Sequence, residues 1–232
     1  MIERFLLHLG VAVRHTNMDK TSAHRAVRIL GAVGAAVWAL PIALTHLPTA
    51  AADPCPDVEI VFARGTTEPP GVGGVGQAFV DSLRSHLGGQ TVGVYAVDYP
   101  ASRDFGSSTP AGANDASNHM QSMAANCPKT RMVLGGYSQG AGVMDLATTA
   151  MPAQVADHVA AAALFGAPKS AFADSLSPGP LPTIGPLYAA KTIDLCVPND
   201  PICSNGVDMG AHVAYVQTGM VNQAAAFAAD RI

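Results

Sequence analysis

Residues 131–150 read RMVLGGYSQGAGVMDLATTA and decide the fold. The first four residues form a short, largely apolar run that predicts a buried strand, and the small residues from Gly140 to Ala150 predict a helix. Between them, Gly136–Gly140 matches the pattern Gly-x-Ser-x-Gly. A serine on such a tight strand-to-helix turn is lifted above the sheet edge, with a positively polarised helix N-terminus aimed at it. The context therefore predicts that Ser138 is a nucleophile.

Further strands and helices alternate on both sides of this stretch. Runs rich in β-branched or apolar residues predict five strands, at 58–63, 91–97, 131–134, 159–165 and 192–196. Helical spacing of apolar or small residues predicts four helices, at 75–87, 113–125, 140–150 and 211–229. This alternation predicts an α/β fold in which a five-stranded parallel sheet is flanked by helices.

The N-terminal segment has the features of an export signal. An apolar run of 16 residues, 29–44, follows several basic residues and precedes three alanines. This pattern predicts a signal peptide over residues 1–52, with Met18 as an alternative start. The apolar run contains Pro41 and is shorter than the roughly 20 residues that cross a bilayer. We therefore expect no stable membrane span after cleavage, and a secreted protein that is extracellular or associated with the cell wall.

The remaining segment, 53–232, predicts a single domain. It holds 8 basic and 15 acidic residues, a formal balance of −7. The net charge of −4 for the full chain offers no basic surface for nucleic acid and argues against electrostatic docking on an anionic membrane. The glycine-rich stretch 71–76 lacks the Lys-Ser/Thr of a phosphate loop, so no nucleotide cofactor is indicated. We expect a monomer without cofactor, and a chain of this size leaves little room for a lid domain.

All four cysteines fall in this domain, at Cys55, Cys127, Cys196 and Cys203. An even number of cysteines in an exported protein predicts two disulfides. Three pairings are open from the sequence, and the short spacing favours Cys196–Cys203, which leaves Cys55–Cys127. No Cys-x-x-Cys pair is present, so we expect no metal site.

A serine nucleophile needs a base, and on this kind of turn the chain order is serine, acid, histidine. Two histidines follow Ser138. His158 leads into a predicted strand and therefore lies at the amino end of the sheet, whereas active sites of open parallel sheets lie at the carboxyl ends. His212 follows the last predicted strand and is the predicted base.

The acid is predicted to be Asp200. Of the six aspartates between the serine and the base, Asp200 follows the last strand and lies in the loop that a Cys196–Cys203 bridge would close. Such a bridge would hold the carboxylate in place. Asp208 is too close to His212 in sequence to be the obvious partner, but it stays open as an alternative.

Two backbone amides are expected to form an oxyanion hole. One belongs to Gln139, the residue after the nucleophile, and the other to the loop after an early strand. The loop Arg64–Glu68 fits the second role, with Thr66 supplying its amide and its hydroxyl. The alternative is a plain turn with Glu68 in solvent.

Three segments resemble the signatures of the cutinase family: 63–71 (ARGTTEPPG), 133–141 (VLGGYSQGA) and 196–215, which contains DPIC and HVAY. The chain looks most like the secreted cutinase-like esterases of actinobacteria. The resemblance implies a minimal α/β-hydrolase fold without a lid and the same pairing of cysteines. It also implies Ser138, Asp200 and His212 as a catalytic triad, with Thr66 and Gln139 in the oxyanion hole. Fungal members usually have serine where Thr66 stands.

These features together predict a secreted serine carboxylic-ester hydrolase that acts on acyl esters. The loop 176–187 carries Leu181 and Ile184, which form either an apolar rim for an acyl chain or part of a stiff surface loop. The same residues also fit a phospholipase, thioesterase or acyltransferase of the cell envelope. A weakly catalytic surface antigen or binding protein is a third alternative, which intact catalytic residues disfavour.

Overall fold

The computed structural model describes residues 55–180 and 182–232, so the predicted signal peptide over 1–52 and its cleavage site lie outside the described residues. The described chain is built on one parallel sheet with the strand order β2-β1-β3-β4-β5. Its strands are β1 Val58–Ala63, β2 Val92–Ala96, β3 Arg131–Tyr137, β4 Val159–Phe165 and β5 Thr192–Leu195. The predicted five-stranded parallel sheet of an α/β fold is confirmed.

Seven helices accompany the sheet within the described residues. They are α1 Gly73–His86, α2 Phe105–Asn126, α3 Gln139–Thr148, α4 Ala153–His158, α5 Ala171–Ser175, α6 Met209–His212 and α7 Met220–Ala229. Helices α1 and α7 pack together on one face of the sheet, and α2 and α3 pack together on the other. None of the helices in this described part of the chain has both the length and the apolar character needed to span a bilayer.

The central strands are buried on both faces. Alternate side chains of β1 point to opposite sides, so that Val61 and Ala63 join the core under α2 and α3. Ile60 and Phe62 join the core under α1 and α7. Strands covered on both sides need apolar residues at every position, which explains the near-continuous apolar runs of the sequence.

Two predicted helices differ from the structure. Helix α2 starts at Phe105, eight residues before the predicted start, and contains Pro110. It packs closely on α3 at Gly112, where a Cβ would lie 2.8 Å from the side chain of Val143. The single helix predicted over 211–229 is wrong: it breaks into α6 and α7, and Gly219, at φ 76°, occupies the left-handed conformation between them.

The carboxyl ends of four neighbouring strands meet at one edge of the sheet. There β1 leads into Arg64, β3 into Ser138 and β4 into Gly166, while β5 leads into the loop closed by the Cys196–Cys203 disulfide. The structure also joins Cys55 to Cys127, with Cα atoms 5.6 Å apart. Residues far apart in the chain therefore converge at this edge.

Candidate active site

Ser138 occupies a strained turn between β3 and α3. Its backbone has φ 55° and ψ −120°, and its amide donates to the carbonyl of Phe165. A Cβ on Gly136 would lie 2.2 Å from the carbonyl oxygen of Gly140, and one on Gly140 would lie 2.0 Å from that of Ala63. Only glycine therefore fits on either side of the serine, as the sequence pattern predicts.

Backbone strain is concentrated at this edge of the sheet. Among the described residues, four that are not glycine have a positive φ: Thr67, Ala101, Ser138 and Asn199. Thr67 follows Thr66, a predicted oxyanion donor, and its amide donates to the carbonyl of Ala101. Asn199 directly precedes Asp200. Such strain clusters where the surrounding structure must hold functional groups in place.

His212 joins Ser138 to Asp200 through two hydrogen bonds. The hydroxyl of Ser138 lies 2.9 Å from Nε2 of His212, and Nδ1 of His212 lies 2.8 Å from Oδ2 of Asp200. The carboxylate fixes the tautomer in which Nδ1 donates and Nε2 accepts from the serine. The structure thus brings together the three side chains that the sequence singled out, although they are separated by up to 74 residues.

The carboxylate of Asp200 is fully buried and surrounded by donors. Its Oδ1 accepts from the amide of Ile202, and its Oδ2 accepts from His212 and from the hydroxyl of Tyr215. Burial, together with the hydrogen bond to Asp200, raises the pKa of the Tyr215 hydroxyl, which therefore stays a donor. Sequence reasoning missed this role of Tyr215, whose one signal was its place in the segment His212–Tyr215.

His212 is held at the end of α6 by its neighbours. The hydroxyl of Tyr137 donates to the carbonyl of His212 at 2.8 Å, and the two rings stack with centroids 5.1 Å apart. Asp208, the open alternative to Asp200, caps α6 by accepting from the amide of Gly210. It therefore positions the short helix and does not contact the imidazole. His158 ends α4 at the amino end of β4, as predicted.

The predicted oxyanion donors are the backbone amides of Thr66 and Gln139. Gln139 is the first residue of α3, where an amide has no acceptor within the helix. In the described structure of the loop 65–68, Gly65, Thr67 and Glu68 donate their amides within the protein and Thr66 does not. The hydroxyl of Thr66 lies 3.4 Å from the side-chain oxygen of Gln139.

The same loop is fixed by two charged side chains. The carboxylate of Glu68 accepts from the amides of Gly65, at 2.6 Å, and Gly74, at 2.7 Å. The buried guanidinium of Arg64 donates to the carbonyls of Glu68 and Tyr99. Glu68 thus ties the loop to the start of α1 and is not the solvated turn residue that the alternative interpretation assumed.

An open cavity of about 460 Å³ lies above Ser138. Part of its wall is apolar and partly exposed, formed by Phe172 and Leu176 at α5 and by Met209 and Val213 at α6. Ser138 keeps partial exposure at this cavity.

The apolar rim predicted in the loop 176–187 differs from this wall. Leu181 lies outside the described residues. Ile184 packs against the core under α2 and α3 and does not line the cavity, because the turn at Gly185 is drawn inward by the hydroxyl of Thr148. The prediction that Ile184 lines the site is therefore corrected: of the two residues, Leu176, at the start of the loop, lines the cavity.

The amino-acid sequence of this chain is similar to those of known hydrolases. The family model Cutinase matches residues 54–232. Carboxylesterase Culp1 of Mycobacterium tuberculosis is 59% identical over 207 residues, which cover 89% of this chain and 95% of that protein. Phospholipase Culp4 of the same organism is 48% identical over 229 residues, 94% of this chain and 97% of that protein.

Solved structures show the same relationship. Trichoderma reesei cutinase in complex with a C11Y4 phosphonate inhibitor is 35% identical, with a TM-score of 0.62 and 77% of each chain covered. The catalytic core domain of acetyl xylan esterase from Trichoderma reesei is 26% identical, with a TM-score of 0.65, over 77% of this chain and all of that one. The chain belongs to the cutinase family of carboxylic-ester hydrolases.

Proposed function

We propose that the protein is a secreted serine esterase that hydrolyses acyl esters through an acyl-enzyme on Ser138. The observation that supports this most directly is the continuous hydrogen-bonded chain from Ser138 through His212 to Asp200. A serine, a histidine and a carboxylate that are hydrogen-bonded in this order can serve as nucleophile, base and orienting acid in acyl transfer. The two disulfides suit an oxidising, extracellular environment.

Acylation begins when the Ser138 oxygen attacks the ester carbonyl and its proton passes to Nε2 of His212. The new imidazolium is stabilised by Asp200, which stays ionised. Negative charge develops on the former carbonyl oxygen, where the amides of Thr66 and Gln139 donate to it. One such donor typically lowers the barrier by about 3 kcal/mol. The tetrahedral intermediate collapses, and the imidazolium gives its proton to the departing alcohol.

Deacylation repeats these steps with water as the nucleophile. His212 removes a proton from the water, which attacks the acyl carbonyl and releases the carboxylic acid, and the proton returns to the Ser138 oxygen. Because the cavity is open at Ser138, the water and a bulky ester can both reach the acyl carbon.

The apolar wall favours esters with a fatty acyl chain. Phe172, Leu176 and Val213 present exposed apolar surface next to the nucleophile, and each CH₂ group of an acyl chain buried there contributes about 0.8 kcal/mol. The names of the two mycobacterial relatives, a carboxylesterase and a phospholipase, fit substrates of this kind. Phospholipase, thioesterase and acyltransferase activities use the same residues, and the structure of the alcohol or thiol part of the substrate distinguishes them.

Labelling with a fluorophosphonate tests the proposal. We expect one adduct per protein, located on the peptide that contains Ser138, and loss of the adduct in Ser138→Ala. The exposed serine of α1, changed in Ser85→Ala, serves as the matched control and should label fully. Labelling of Ser138→Ala at the wild-type level would contradict the proposal, as would a folded wild-type protein that takes up no label.

A further inference from the structure

The cavity above Ser138 is lined by one lysine or arginine side chain. Arg103 lines it together with Thr66 and Phe105, and no aspartate or glutamate is among the described residues of its wall. The cavity therefore combines the apolar wall at α5 and α6 with one positively charged region at the start of α2. Neither the ester carbonyl nor a fatty acyl chain needs that charge.

The backbone before Arg103 is fixed by the active site itself. The amide of Thr67 donates to the carbonyl of Ala101 at 2.7 Å, and the side-chain amide of Gln139 donates to the carbonyl of Ser102 at 3.2 Å. Thr67 follows one oxyanion donor, and Gln139 is the other. The backbone that leads into Arg103 is thus tied to the loop after β1 and to the first residue of α3, while the Arg103 side chain itself is exposed.

The guanidinium of Arg103 forms no hydrogen bond or ion pair with other described residues. Between Cys55 and Ile232 there are eight lysines and arginines, and six of them donate to carbonyls or to a carboxylate of the described chain: Arg64, Arg84, Arg131, Lys169, Lys191 and Arg231. Within the same residues, Arg103 and Lys129 donate to none. The neighbouring carboxylate of Asp104 accepts from the hydroxyl of Ser107 and forms no ion pair with Arg103.

The net negative charge of the domain makes a cation at the cavity important for binding an anionic ester. Residues 53–232 have a formal balance of −7, so the domain as a whole repels an anionic ester. A guanidinium has a planar arrangement of donors that binds two oxygens of a phosphate at once. Arg103 can therefore offset the repulsion at the cavity beside Ser138.

We propose that Arg103 forms a subsite for a phosphate carried by the alcohol part of the ester, with the acyl chain on the apolar wall. This inference rests on the proposed esterase function and narrows its substrates to acyl esters of a phosphorylated alcohol, such as an acylated glycerol phosphate. Ester cleavage itself is unchanged: the acyl group passes to Ser138, and the phosphorylated alcohol leaves with the proton from His212.

Two soluble esters that differ only in the phosphate test the subsite. Hexanoate release is measured for 1-hexanoylglycerol 3-phosphate and for 1-hexanoylglycerol, both below the concentration at which they form micelles. In Arg103→Gln, the ratio of kcat/KM for the phosphorylated ester to that for the neutral ester should fall about threefold to tenfold, the range for a partly exposed charge pair. Arg103→Lys should keep an intermediate ratio, because a lysine retains the charge without the planar fork.

Lys129→Gln is the matched control, because Lys129 is also an unpaired exposed cation but lies in the turn before β3, at the other end of the sheet. Its ratio should equal that of the wild type. An unchanged ratio in an active Arg103→Gln enzyme would overturn the subsite, and so would an equal fall in Lys129→Gln. A folded wild-type enzyme that hydrolyses neither ester would instead contradict the proposed esterase function.

Discussion

The hydroxyl of Tyr215 lies 2.5 Å from Oδ2 of Asp200, the same oxygen that accepts from His212. Both residues are fully buried, so water does not compete for this hydrogen bond. The phenol therefore holds the carboxylate in the orientation that His212 requires and shares its negative charge. A buried tyrosine that contacts no substrate acts in this way as a positioning residue.

Replacing Tyr215 with phenylalanine should lower kcat/KM about tenfold, because a hydrogen bond to a charged group contributes about 1.5–3 kcal/mol and only part of it is expressed in the transition state. With one donor fewer, Asp200 attracts the imidazolium more strongly. The acid limb of the pH profile of kcat/KM should therefore move to higher pH. Both quantities are measured on a soluble p-nitrophenyl ester.

Tyr188→Phe is the matched control for this change. Tyr188 is also fully buried, but its hydroxyl has no hydrogen-bond partner in the described structure. Its removal should leave the pH profile of kcat/KM unchanged. If Tyr215→Phe also leaves both kcat/KM and the acid limb unchanged, Tyr215 does not position the carboxylate.

Changing Glu68 to glutamine should reduce kcat about tenfold with KM within about twofold of the wild type, because a misplaced oxyanion donor weakens binding of the transition state more than binding of the ester. One carboxylate oxygen now accepts from Gly65 and the other from Gly74, and an amide NH₂ cannot accept in place of either. Asp81→Asn, a change at an exposed carboxylate of α1, is the control. A rise in KM with unchanged kcat would show that Glu68 acts on substrate binding instead.

The nucleophile turn could be predicted because a short stretch of sequence marks it, with Gly-x-Ser-x-Gly between a strand and a helix. A Cβ at Gly136 or Gly140 would clash with neighbouring backbone, so only glycine fits at these positions. The apolar run before them predicts a strand, and the small residues after them predict a helix. Chain order left two histidines and six aspartates as partners, and position after the last predicted strand then selected His212 and Asp200. The helices α5 and α6 could not be predicted in the same way, since elements of four or five residues are too short to show helical periodicity.

The role of Tyr215 depends on how the chain folds between α6 and α7. A continuous helix over 211–229, as predicted, leaves no reason to place Tyr215 beside Asp200. Helix α6 instead ends at His212, and Tyr215 lies in the non-helical segment before Gly219, where its phenol reaches Asp200. Likewise, an apolar residue such as Ile184 can face a cavity or the core, and the sequence of a loop rich in proline and glycine does not distinguish the two.

The apolar wall of the cavity predicts that shortening one of its side chains changes the preference for acyl-chain length. Truncating Leu176 to alanine should lower the ratio of kcat/KM for p-nitrophenyl octanoate to that for p-nitrophenyl acetate about threefold to tenfold, since the longer chain loses apolar contact. Leu187→Ala is the matched control, because Leu187 is also an exposed leucine, at 53% exposure, but does not line the cavity. An unchanged ratio in Leu176→Ala would place the acyl chain elsewhere.

Asp145 predicts a pH dependence of stability that is independent of catalysis. It is buried in α3, its Oδ1 has no hydrogen-bond partner in the described structure, and burial, with a smaller contribution from the charge of Asp194, raises its pKa to about 7. Between about pH 4 and 7 the folded state therefore holds a proton that the unfolded state has lost. The free energy of unfolding falls over this range as pH rises, by at most about 4 kcal/mol for this group.

Asp145→Asn removes that loss, so the variant should gain stability relative to the wild type as pH rises from 5 to 8. The measurement is the urea unfolding midpoint at both pH values, with the disulfides intact. Asp230→Asn, at an exposed carboxylate of the C-terminus, should show no such difference. Parallel curves for Asp145→Asn and the wild type would mean that Asp145 is ionised in the folded protein at low pH.

The most direct test of the account is the rate of ester hydrolysis by Ser138→Ala on p-nitrophenyl butyrate, with Ser85→Ala as the control. Removing the nucleophile leaves His212 and Asp200 with no group to activate, so kcat/KM should fall at least about a thousandfold while the fold and the unfolding midpoint are retained. The control should keep the wild-type rate. Hydrolysis at the wild-type rate by Ser138→Ala would contradict acyl transfer to Ser138 and every step derived from it.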